Sequence, residues 1–297
     1  MEAGAATAPA ATRARTRTRK KPRTRGKMPW WMWIAVAAIV VFCLFPFYWL
    51  INISLKTGND LQSSSLIPPN PTLDNYQSIF KNPDFTKALR NSAVVALSTT
   101  VLALVVGSFC AYALARLKLR GKFVILAIVL TISTFPQIAI AAPLFKLWSD
   151  IGLFNTWIGL IIPYLTFALP LTVYILVSFF REIPKDLEEA ALVDGATHFE
   201  AFRKVVVPLA APGLATAGIL AFIAAWNEFL LAVTLTSSSK ARTVPAAIAF
   251  FTGATEHEVP YGSISAASVV ISVPLIVMVL LFQKRIVAGL TAGAVKG

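Results

Sequence analysis

Six long runs of apolar residues recur along the chain, at 30–53, 91–115, 123–145, 157–180, 210–235 and 264–283. About 20 apolar residues cross a hydrocarbon core as one helix. The pattern therefore predicts an all-α integral membrane protein with six transmembrane helices. Trp30, Trp31, Trp33, Tyr48 and Trp49 crowd the two ends of the first run, as interfacial aromatics do. Prolines interrupt several spans, at Pro46, Pro136, Pro143, Pro163, Pro170, Pro212 and Pro274. Such kinks are tolerated where neighbouring helices re-satisfy the freed carbonyls.

Between the fourth and fifth runs lies a strongly polar stretch, Arg181 to Pro208. Pro184 suits a first helical turn, where its missing N–H would be unpaired anyway. Leu187, Ala190, Ala191 and Asp194 follow at helical spacing, and Gly195 stands where a helix commonly stops. Thr197 with Glu200 three residues on reads as a capping box that opens a second helix. Phe199, Phe202 and Val206 form an apolar stripe along it. Pro208 marks the return to the membrane. The expected shape is a helix, a sharp glycine turn and a second helix, with apolar side chains available to grip a partner.

Composition agrees with the spans: mean hydropathy is +0.70, 57% of residues are apolar and 14% are charged. Charge is clustered, and its distribution gives an orientation. With the N-terminus inside, 20 of the 27 Lys and Arg fall on cytoplasmic segments. Both termini are then cytoplasmic, and so is the 181–208 loop. Outer connections are expected at 54–90, 146–156 and 236–263. Nine of the cationic residues stand between Arg13 and Lys27, in a segment too poor in apolar residues for a core. Residues 1–27 read as a disordered basic cytoplasmic tail touching anionic lipid, with no nucleic acid as partner. No small-x-small cleavage site follows the next apolar run, so the segment is not expected to be a signal peptide.

Candidate chemistry is sparse. There is no phosphate-cradling G-x-x-x-x-G-K-[ST], no GxSxG and no HExxH. His198 and His257 stand alone and read as surface residues. Cys43 and Cys110 lie in apolar runs without metal-ligand spacing and read as small buried hydrophobes. The expectation is a non-catalytic chain holding no metal. Glu228, beside Asn227 in AAWNEFLLA, is the carboxylate set nearest to a span. Counted from Pro208 at about 1.5 Å per residue, it reaches the outer leaflet. Two readings stay open for it: an interfacial residue, or, with Asn227, the outer mouth of a translocation path.

One resemblance draws these features together. Glu189-Ala190-Ala191, Gly195 four residues after Ala191, and Val205-x-Val207-Pro208 look like the EAA loop of bacterial ABC importer permeases. Val replaces the usual Ile and Leu before the proline. The likeness extends through FPFYWLINISLK (45–56), NPTLDNYQSIF (70–80), YALARLKLRGK (112–122), WNEFLLA (226–232) and GLTAGAVKG (289–297). Together these resemble the sugar-importer branch, the maltose-type second permease, and in particular the trehalose-importer permeases of actinobacteria. Only the basic tail lies outside the pattern.

The resemblance implies a type I ABC importer permease fold: a six-helix domain over 28–288 and a cytoplasmic tail over 289–297, in the plasma membrane of a bacterium. It implies a pathway half for a di- or oligosaccharide of the trehalose/maltose class. Implied partners are a second permease subunit, an ATPase dimer binding ATP and Mg, and an extracytoplasmic sugar-binding lipoprotein. Glu188, Glu189, Ala190, Ala191, Asp194, Gly195, Phe199, Phe202 and Pro208 would serve ATPase coupling. Gly293, Val295 and Lys296 would touch the ATPase from the C-terminal tail. The competing class, a homo-oligomeric secondary transporter or channel, would be expected to show midplane coupling charges or broken-helix ion sites, and neither is visible in the sequence.

Overall fold

The computed structural model describes residues 29–251 and 260–292, the side chains of 284–292 excepted. The basic tail, His257 and the C-terminal candidates Gly293, Val295 and Lys296 lie outside the described residues. Two units divide the chain, residues 1–46 and 47–297. In the first, Trp30 opens helix α1 (Trp30–Ser54), which continues across the boundary with Pro46 inside it. Cys43 is exposed there, against expectation. An apolar side chain on a membrane helix needs no protein cover, since lipid supplies the apolar surroundings.

All the other helices belong to the second unit. Two packing helices come first, α2 (Asp74–Lys81) and α3 (Pro83–Arg116). The Asn82 side chain accepts from the Asp84 N–H at 2.9 Å and Pro83 occupies the first turn, so α3 starts earlier than the apolar run alone suggests. Next come α4 (Lys122–Ser133), α5 (Gln137–Asp150) and α6 (Trp157–Glu182). The polar loop contributes α7 (Lys185–Val193), α8 (His198–Ala201), a π turn over Phe202–Val206, and α9 (Val207–Leu209). The chain then forms α10 (Ala211–Trp226), α11 (Leu230–Leu235), α12 (Val244–Ile248) and α13 (Tyr261–Ala292).

Four of the described helices, α1, α3, α6 and α13, are long and apolar enough to cross a membrane unbroken; counting each of two bent pairs as one span gives six. The expected third span, 123–145, is split into α4 and α5 at an angle of 82°. Pro136 is responsible: it lacks an N–H, and its ring disfavours helical backbone at Phe135. The expected fifth span, 210–235, ends at Trp226 instead of running through to α11.

Helix α3 packs along α6, and both pack on α10. Small residues let them approach: a Cβ added at Gly107 would stand 2.8 Å from the Thr172 methyl. One apolar cluster (Leu114, Val173, Leu176, Phe180, Phe202, Val206) fills the loop end of the bundle. Another (Val95, Trp148, Leu160, Trp226, Leu231) fills the opposite end.

Polar side chains tie the opposite end together. Asn91, fully buried, donates to the carbonyls of Ser239 and Arg242 at 3.0 Å each and accepts from the Trp157 indole N–H at 3.0 Å. The Lys56 ammonium, 1% exposed as a residue, donates to the Ser63 and Ser65 carbonyls at 3.1 and 2.9 Å. It also lies 5.4 Å from the centre of the Trp49 ring. The Asn75 amide donates to the Ser54 and Lys56 carbonyls at 2.9 and 2.8 Å. The 57–72 connection is thereby strapped onto the end of α1.

Candidate functional site

The loop between α6 and α10 folds largely as its sequence dictates. Helix α6 stops at Glu182, and Ile183 and Pro184 are extended before α7 begins. At the far end of α7, the Asp194 N–H donates to the Ala190 carbonyl at 3.0 Å, Gly195 to Leu192 at 3.1 Å and Ala196 to Ala191 at 3.0 Å. Gly195 makes the turn with φ +90°, a conformation costly for a side chain-bearing residue. The capping box is present in full. The Thr197 hydroxyl accepts from the Glu200 N–H at 3.2 Å, and Glu200 Oε2 accepts from the Thr197 N–H at 3.0 Å. Lys204 adds a bond to Glu200 Oε1 at 2.9 Å. These contacts, the Thr197 backbone N–H first and Lys204 next, hold the exposed Glu200 carboxyl down at about 2.

The second helix departs from a plain α-helical stripe. Its π turn over Phe202–Val206 shifts the phase, so that Phe202 and Val206 are both buried while Phe199 remains 56% exposed. Phe202 seats against Tyr112, Phe109 and Phe180, with ring centroids at 4.9, 5.3 and 6.3 Å. Phe199 stacks on Phe109 at 6.4 Å. Pro208 is exposed in the first turn of α9, and the chain bends by 77° into α10.

Helix α7 has two contrasting faces. Glu188 points into the protein and is 8% exposed. The Tyr112 hydroxyl donates to its Oε1. Arg116 Nε lies 3.2 Å from its Oε2, close enough for an ion pair though not aligned as a hydrogen bond. The same guanidinium donates from Nη2 to the Ile183 carbonyl at 2.9 Å. On the other side, Leu187, Glu189, Ala190, Val193 and Asp194 are exposed and Ala191 is half-buried. Val193 reaches 86% exposure, high for so apolar a residue on a polar loop.

The structure thus gathers Glu189, Ala190, Asp194 and Gly195 on one accessible knuckle, leaves Ala191 half-buried at its edge, and sets Glu188 and Phe202 underneath as anchors. Sequence reasoning missed Tyr112, Arg116 and Val193. A signal for the first two existed: a tyrosine and an arginine four residues apart end α3 just where a carboxylate-rich loop has to return.

Asn227 and Glu228 are at the opposite end of the bundle. Asn227 is exposed and donates to the Ile223 carbonyl at 3.0 Å. Glu228 is 7% exposed, and its carboxylate accepts from the N–H groups of Leu231 at 2.7 Å and Ala232 at 3.0 Å. From the residue before the N-cap Phe229 it satisfies two free N–H groups in the first turn of α11, a role invisible while 210–235 is read as one helix. Cys110 is half-buried in α3, and His198 is exposed. Among the described residues no three His, Cys, Asp or Glu stand close enough to hold a metal ion.

Comparison with known proteins places this architecture. Residues 87–291 match the family model described as "Binding-protein-dependent transport system inner membrane component". The trehalose transport system permease protein SugB of Mycobacterium tuberculosis is 54% identical over 266 residues, covering 89% of this chain and 97% of that protein. The trehalose/maltose transport system permease protein MalG of Thermococcus litoralis is 42% identical over 266 residues, covering 89% and 95%. A crystal structure of a bacterial ABC transporter that imports the acidic polysaccharide alginate contains a chain of the same fold. Its TM-score is 0.72 at 23% identity, covering 86% of this chain and 95% of that one. The chain belongs to the family of inner-membrane permease components of binding-protein-dependent ABC transport systems, and is a non-catalytic, multi-pass protein of the plasma membrane.

Proposed function

We propose that the chain forms half of the transmembrane pathway of an ATP-driven importer for a di- or oligosaccharide of the trehalose/maltose class. It is coupled to separate ATPase subunits through the 181–208 loop. The observation that carries the coupling role is the accessible knuckle of α7: the small residue Ala190, an exposed Val193 and Leu187, and charges at Glu189 and Asp194, all solvent-accessible, with the small, half-buried Ala191 beside them. Such a face can enter a cleft closely, with apolar contacts at its centre and charges at its rim. The sugar class is supported by the names of the similar permeases. The partners are a second permease, a pair of ATPase subunits that bind ATP and Mg, and an extracytoplasmic sugar-binding lipoprotein. The bias of Lys and Arg supports a cytoplasmic side for both termini, and with them the loop.

Purification of the tagged chain from native membrane tests this reading. An ATPase chain and a second permease should accompany it, and reconstituted vesicles should take up radiolabelled trehalose or maltose only with ATP on the loop side. A self-only complex, or uptake driven by an ion gradient without ATP, would overturn the reading.

A further inference from the structure

We propose that Tyr112, Arg116 and Glu188 form a joint that makes α7 and the end of α3 move as one body, so that force on the α7 knuckle enters the membrane bundle through α3. The proposal deepens the coupling role set out above and rests on it. It names positioning residues within that role.

The connection from α6 to α7 is the starting point. It consists of Ile183 and Pro184 in extended conformation, and by itself such a link is a hinge. Arg116 closes the hinge from outside. Its guanidinium holds the Ile183 carbonyl with one nitrogen and faces the Glu188 carboxylate with another, so one side chain grips both the link and the helix that follows it. Tyr112, one turn earlier on α3, takes the second carboxylate oxygen.

Burial distinguishes this contact from the other ion pairs among the described residues. The Arg116 and Glu188 side chains are 5% and 11% exposed, whereas Lys87–Asp84 and Lys204–Glu200 join neighbours on one helical stretch with side chains 39–67% exposed. Away from water the attraction is less screened, and removal of one partner leaves the other charge stranded. A break in the joint is therefore disfavoured during the motion.

The return arm is fixed to the same stretch of helix. Phe202 packs on Phe109 and Tyr112, so residues 109–116 receive the loop at two points, one polar and one aromatic. Attachment at two points resists rotation as well as translation. Helix α3 then packs on both α6 and α10, which gives the movement a route into the bundle.

The test uses the complete importer, with its ATPase subunits and binding protein, in proteoliposomes with radiolabelled trehalose and maltose. The quantity read is sugar taken up per ATP hydrolysed. Glu188→Gln and Arg116→Gln should each lower that ratio about tenfold, within the usual range of coupling between sites. The double variant should be no worse than either single one. Tyr112→Phe, which removes no charge, should lower the ratio less and carries the test if Arg116→Gln does not assemble. Spin labels at Leu117→Cys and Val193→Cys give a second readout: their separation should stay constant through the nucleotide cycle and broaden in Glu188→Gln. An unchanged ratio with less assembled complex, or labels that separate on ATP binding in the otherwise native chain, would overturn the joint. Gly195→Val separates the two levels of the argument. If it uncouples while the joint variants do not, only the joint fails. If it too leaves the ratio unchanged, the coupling reading itself fails.

Discussion

Glu188 and Glu189 are consecutive in the sequence and meet different surroundings: Glu188 is buried against Arg116, and Glu189 is exposed on the accessible side of α7. One residue of helix is about a 100° turn, enough to separate an anchor from a contact. The two glutamates are accordingly expected to fail differently. Glu189→Lys should leave the protein at normal membrane levels and reduce uptake by about tenfold or more, since a reversed charge at a docking face costs specificity and affinity. Glu188→Lys sets a cation against Arg116 and should reduce the amount of folded chain. Immunoblots of membranes alongside uptake distinguish the two.

Gly195 gives a graded series. No heavy atom stands within 4 Å of a Cβ built there, so its substitution is penalised by backbone conformation alone. At φ +90° an ordinary residue is disfavoured by about 1–2 kcal/mol. Asn, which tolerates positive φ, should retain much of the uptake, Ala less, and Val least. Equal uptake by Asn and Val variants would show that the bend is not required.

The capping box predicts a pH dependence with a definite sign. The Glu200 carboxyl is lowered from its ordinary 4.5 to about 2. Its contribution is therefore fully present above the unfolded value and is lost as pH falls through the folded one. Hydrogen exchange of the 197–201 amides should be protected equally from about pH 8 to about pH 5, after correction for intrinsic rates, with any loss confined to stronger acid. Thr197→Ala should weaken that protection by about 1 kcal/mol at neutral pH. Glu200→Gln should do less, because glutamine can also close the box.

Asn91 should matter for stability without touching the loop. Asn91→Leu removes three hydrogen bonds at a fully buried position and strands the Trp157 indole N–H. A loss of about 1–3 kcal/mol is expected. Thermal unfolding in detergent should show it, while the sugar taken up per ATP by the surviving assembled complex stays unchanged.

What could be read in the sequence was local. The Gly195 turn and the Thr197–Glu200 box depend on residues at most five apart, and both formed as expected. The spans followed from length and hydropathy, yet Pro136 read only as a kink, because a proline fixes where a helix is interrupted but not the size of the resulting angle, here 82°. The separate roles of Glu188 and Glu189 depend on Arg116, more than seventy positions away, which no local pattern reaches. Glu228 invited a reading by membrane depth. Its partners include the N–H groups of Leu231 and Ala232, in a short helix that exists only because the chain breaks after Trp226.

The two-point seating of the loop on α3 bears on how such permeases can be recombined. A graft of residues 181–208 into another permease would carry Glu188 and Phe202 but leave behind Tyr112, Arg116 and Phe109. A host without matching residues would then receive a buried carboxylate with no cation and an aromatic ring missing part of its seat. The natural cassette is discontinuous, made of 109–116 and Phe180 together with 181–208, and exchange into a permease without matching residues has to move all of it.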